Sequence, residues 1–214
     1  TGTLINIFSR EKSLIYFCTW DESDRKGAVL IGDDIKANLF IVPPKGEQGS
    51  VRYEKEELQR IKDRFVARLT NKENNPVWDE IKSLSNSSWT FLEPYATGKK
   101  AIRDRDTFVK YYENLVDFWT CLNSFICEIL ENEDIDKKIR DELIGFRTKT
   151  ERYTERMSSI LTDYLKKYLL PQDIANIVTK NEALDIIRKK ISSQELNLIR
   201  ARVNGCFMFN GNVY

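Results

Sequence analysis

Tyr112 and Trp119 stand seven positions apart in an apolar helical repeat, and each carries a flat ring with one hydrogen-bonding atom at its tip. That spacing puts them two turns apart on one helix face. Further on, Arg147, Lys149, Arg152 and Arg156 form a basic run. A guanidinium pairs with phosphate or carboxylate through a bidentate fork. An apolar wall with a few polar tips is how small-molecule sites are usually built. Tyr112, Trp119, Arg147 and Arg152 are therefore the candidate substrate-binding residues. Each also has a plainer reading. The stripe that includes Tyr111 and Phe118 has the spacing of ordinary core packing. Glu151 and Glu155 interleave with the arginines as on a solvated, salt-bridged helix face.

Catalytic chemistry is bounded by an absence. The chain has no histidine. A Ser-His-Asp or Cys-His arrangement and a phosphohistidine intermediate are excluded, while carboxylate and lysine chemistry stay open. The cysteines at 18, 121, 127 and 206 form no CxxC and read as reduced, apolar thiols, so no metal ligands are assigned. The segment from Pro43 to Ser50 holds Gly, Lys and Ser but not the order of a phosphate-binding loop, and reads as a hairpin loop. Arg188-Lys189-Lys190 reads as a helix C-terminal charge cluster. Glu56-Glu57 lies on an exposed helical turn and suggests no glycosidase pair. No catalytic residue is assigned.

The elements that must position these residues follow from periodicity. Residues 4–53 read as strand-rich. Leu14–Trp20, Ala28–Ile31, Leu39–Val42 and Val51–Tyr53 are dense in β-formers between Asp/Gly turns. A helix is predicted from Glu54 to Leu69. A shorter one starts at Asn74-Asn75-Pro76, and residues 85–103 read as a connecting segment around Pro94 and Gly98. The spine is a long antiparallel hairpin of helices over 104–132 and 135–169, with Leu122 and Phe125 on its apolar stripe. Thr179–Glu182 and Ser192–Glu195 are capping-box patterns, each ahead of a short helix. Cys206–Tyr214 has strand composition around an Asn210-Gly211 turn and is expected to return to the sheet edge.

The 214 residues are 41% hydrophobic and 31% charged, which supports a buried core. Basic and acidic residues, 34 and 33, nearly cancel, so no nucleic-acid face is expected. No apolar run is long enough for a bilayer, and the opening Thr1-Gly2-Thr3 has no basic, then apolar leader. A cytoplasmic location is expected. The missing initiator Met reads as a piece of a longer protein. The fold class is α+β, mainly helical. A strand-rich N-terminal subdomain, 1–53, leads into a helical body, 54–214, as one integrated domain.

From Phe146 on, the chain resembles a known family. The residues are Phe146-Arg147-Thr148-Lys149-Thr150-Glu151, Leu170-Pro171-Gln172-Asp173-Ile174, Glu182-Ala183-Leu184, Glu195-Leu196 leading to Arg200-Ala201-Arg202, and an aromatic strand with Asn210-Gly211 and Tyr214. In that order they resemble the region just before the swivelling phosphohistidine domain of phosphoenolpyruvate-synthase-like and rifampin-phosphotransferase-like proteins. The resemblance covers the last third of the chain. It implies an acceptor-binding or interdomain module that lacks the catalytic histidine and the nucleotide site. It also implies flanking ATP-grasp and phosphohistidine domains as partners, and a small-molecule acceptor. No cofactor is expected on this chain; ATP and Mg would serve the parent protein. The alternative is a non-enzymatic helical protein-interaction module.

Overall fold

A computed structural model describes residues 3–44, 46–70, 75–122, 124–130, 132–169 and 171–214. Lys45 of the loop, Asn74 ahead of Pro76 and Leu170 of the family-like element lie outside the described residues. The fold is α+β and mainly helical. An antiparallel five-stranded sheet runs in the order β1-β3-β2-β4-β5. It is built from β1 (Leu4–Arg10), β2 (Asn38–Val42), β3 (Gly49–Glu54), β4 (Cys206–Phe209) and β5 (Asn212–Val213). The returning C-terminal strand pairs Phe40 with Met208 and Val42 with Cys206. Asn210 and Gly211 both take positive φ, 48° and 76°, as the turn between β4 and β5 requires.

The largest departure from expectation is α1 (Leu14–Leu30), a helix where strands at Leu14–Trp20 and Ala28–Ile31 are predicted. Its first six residues are all buried, because it lies between the sheet and the helical layer. Phe17 packs on Phe40 of β2, with ring centroids 5.6 Å apart, and α4 covers another side. A helix buried nearly all round shows no amphipathic period, and a short buried apolar run reads equally as strand. Ser13 carried the missing signal: its hydroxyl caps the Tyr16 N–H.

α2 (Lys55–Leu69) fits its predicted span. α3 (Pro76–Ala96) does not stop at residue 84. The hydroxyls of Ser85, Ser87, Ser88 and Thr90 donate to carbonyls three or four residues back, so the Ser-rich stretch is satisfied within the helix. Trp89, Leu92 and Tyr95 anchor it in the core. α4 (Arg105–Cys121) ends at Leu122, and α5 (Ser124–Ile129) follows as a separate turn.

The antiparallel hairpin partner of α4 is therefore α3, not the 135–169 segment. Cys121 meets the Ile81 carbonyl, Trp89 meets Phe118, and Tyr95 meets Tyr111. The 135–169 run is itself divided into α6 (Lys137–Thr150), a 3-10 turn over Glu151–Tyr153 and α7 (Thr154–Leu165). α8 (Lys180–Ile187) and α9 (Ser193–Ala201) begin at the two expected capping boxes, both formed. Among the described residues no helix is long and apolar enough to cross a membrane.

Candidate functional site

Between the β1 edge and the helices lies a cleft of about 320 Å³. β1 carries a bulge between Asn6 and Phe8, and the extra residue lets consecutive Ile7 and Phe8 both line it. α1 contributes Tyr16 and Trp20, one helical turn apart. The C-terminal end of α4 contributes Trp119 and Leu122. Trp20 and Trp119 run nearly parallel, 7° apart with centroids at 6.3 Å. Tyr16 meets both edge-on, and Phe8 packs on Trp20 at 4.4 Å. The Trp119 Nε1 is buried and has no hydrogen-bond partner among the described residues. Such an orphaned buried donor is costly.

The opposite wall comes from α6, the 3-10 turn and α7, through Arg147, Thr150, Glu151, Thr154 and Glu155. Glu155 is held by Lys12 Nζ at 2.5 Å and Arg10 at 3.3 Å, and Glu128 by Lys62 at 2.5 Å. Arg147 stands exposed on the rim with no ion pair among the described residues. Burial pushes the Cys127 thiol up to about 11, so it lines the cleft uncharged.

Two of the four predicted site residues thus come together, Trp119 and Arg147. Tyr112 and Arg152 do not line this cleft. Tyr112 is fully buried, its hydroxyl donates to Glu22 at 2.9 Å, and Lys180 sits over its ring at 4.4 Å. It shares a helix face with Trp119, but the crossing α1 covers the two at different points. Arg152 follows Arg147 by five residues, which is not a helical repeat, and stays exposed over the Tyr153 ring. Sequence reasoning missed Tyr16 and Trp20 because 14–20 read as a strand, and Phe8 because nothing local announces the bulge in β1. It missed Arg10 and Lys12 because nothing local announces a partner at Glu155. The four-residue spacing of Tyr16 and Trp20 after Ser13 was the available clue.

A second cavity of about 280 Å³ adjoins the first across Lys12 and Glu155, which line both. No group of three or more Cys, Asp or Glu side chains among the described residues is arranged to hold a metal ion.

Fold and cleft together define the class: an α+β, mainly helical domain with an aromatic cleft rimmed by charges of both signs. No protein-family model, no curated protein and no solved structure matches the chain.

Proposed function

We propose that this chain is the acceptor-binding module of a phosphoenolpyruvate-synthase-like phosphotransferase. The supporting observation is the cleft that sets the aromatic wall of Trp20 and Trp119 beside the exposed Arg147, which has no ion pair among the described residues. The chain would hold a small-molecule acceptor there. ATP-grasp and phosphohistidine domains of the parent protein would supply ATP, Mg and the phosphoryl-carrying histidine, none of which this histidine-free sequence provides. A cytoplasmic setting belongs to the same reading.

The test is to express the chain with its flanking sequence and assay ATP-dependent phosphoryl transfer. Trp119→Ala and Arg147→Ala should raise the acceptor KM about tenfold, about 1.4 kcal/mol of lost binding, with kcat little changed. The purified chain alone should turn over no ATP. Flanking sequence with neither an ATP-grasp nor a phosphohistidine domain would overturn the reading.

A second reading, a non-enzymatic protein-interaction module, draws on a different feature. Phe207, Phe209 and Tyr214 are exposed on the outer face and edge of the sheet, with Phe207 and Tyr214 stacked at 5.2 Å. Loss of a partner on Phe207→Ser, with small-molecule binding intact, would favour it.

A further inference from the structure

The two adjoining cavities differ in chemistry along a single boundary. On one side stands the Phe8, Tyr16, Trp20 and Trp119 wall. On the other, α7 turns a polar face inward: Glu155, Ser158, Ser159 and Thr162 follow the i, i+3, i+4, i+7 spacing of one helix face. Ser158 and Thr162 are buried, although a polar helix face normally meets water. Their hydroxyl protons go to the Glu155 and Ser159 carbonyls, each at 2.7 Å. The oxygens that remain toward the cavity are therefore acceptors. Glu11, Glu47 and Asp173 add carboxylates from the surrounding segments. Among the described residues the one cation in that lining, Lys12, is already engaged by Glu155 at 2.5 Å and Ser158 at 3.1 Å.

A cavity rich in acceptors and negative charge recognises O–H and N–H donors and repels phosphate or carboxylate. The aromatic side recognises a flat apolar ring. The boundary is itself fixed, since Lys12 Nζ also lies over the Tyr16 ring at 5.1 Å.

We propose that the two cavities are halves of one site, divided by the Lys12–Glu155 pair. The site takes a flat ring joined to a sugar, of the glycoside or nucleoside class. The ring lies on the tryptophan side and the sugar hydroxyls on the α7 side. The proposal rests on the acceptor-binding reading and names the class of molecule that it would hold.

Calorimetric titration of the purified chain tests it with two series. One is phenyl glucoside against phenol and methyl glucoside; the other is adenosine against adenine and ribose. Phenyl phosphate serves as the anionic control. At least one conjugate should bind tenfold or more tighter than either of its halves, and its series tells glycoside from nucleoside. Ser159→Trp, at an exposed position of α7, should fill the polar half and weaken the conjugate at least tenfold while sparing the ring alone. Glu47→Gln, in the exposed loop, should weaken the conjugate without touching the helix. A ring that binds as well as its conjugate, or phenyl phosphate as the tightest ligand, would overturn the two-part site and leave the acceptor-binding reading standing. No aromatic binding of any kind would overturn both.

Discussion

The Lys12 ammonium lies 2.5 Å from the Glu155 carboxylate in a lopsided pair: the Lys12 side chain is 6% exposed and that of Glu155 is 67% exposed. The cation is sealed in, and the anion that stabilises it stands in solvent. Removing one partner of such a pair is not equivalent to removing the other.

Glu155→Gln leaves a buried ammonium facing a neutral amide, the Ser158 hydroxyl and the Tyr16 ring face. It should cost on the order of 1–3 kcal/mol. Lys12→Met leaves an exposed carboxylate still near Arg10 and should cost clearly less. Urea unfolding of the two variants checks the order, and equal losses would contradict it.

The same pair sets a pH dependence. The Lys12 hydrogen bond, followed by the charges of Lys12 and Arg10, holds the Glu155 carboxyl below its ordinary value. A carboxyl depressed in the folded state contributes fully above its unfolded value, about 4.3, and loses that contribution as pH falls through the folded value. Stability should therefore drop on acidification below about pH 4.3, and Glu155→Gln should drop less steeply. Denaturation midpoints between neutral pH and about pH 3 would show it; parallel curves for both proteins would not fit.

Phe125 is fully buried between Tyr53, at 5.4 Å, and Phe65, at 6.2 Å. Phe125→Ala should cost about 3–5 kcal/mol, and Leu122→Ala, at the buried end of α4, about 2–5 kcal/mol. A loss under about 0.5 kcal/mol at either site would mean that its side chain does not pack as described.

The two capping boxes should respond differently. Glu182 accepts from the Thr179 N–H at 2.9 Å and also from both Arg202 terminal nitrogens, at 2.7 and 2.8 Å. Among the described residues Glu195 bonds only Ser192. Thr179→Ala should cost about 1 kcal/mol. Glu182→Ala should cost more than Glu195→Ala, because it also strips Arg202 of its bidentate partner. Thermal melts of the set decide the ranking.

The legible parts of the fold were those with local signals. Asn210-Gly211, Thr179–Glu182, Ser192–Glu195 and the amphipathic α2 all state their conformation within a few residues. What escaped was decided at a distance. α1 has no polar stripe to betray its period, because the sheet and α4 bury it from both sides. α3 runs through Ser-rich sequence because Trp89 and Tyr95 find partners on α4. At the cleft, Trp119 and Arg147 could be picked out for their chemistry. Lys12 and Glu155, 143 residues apart in sequence, meet only once the chain has folded.

The order of strands carries a consequence for how the chain is made. β4 lies beside β2, so Phe40 finds its partner Met208 only when the chain through β4 has left the ribosome. Until then one edge of β2 offers unpaired amides and carbonyls beside Leu39 and Ile41. The helices can form early from local contacts, but closing the sheet is a late, long-range event. Nascent chains stalled before residue 206 should therefore be the form most exposed to chaperones and to edge-to-edge aggregation, and β4 acts as the clasp that ends that exposure.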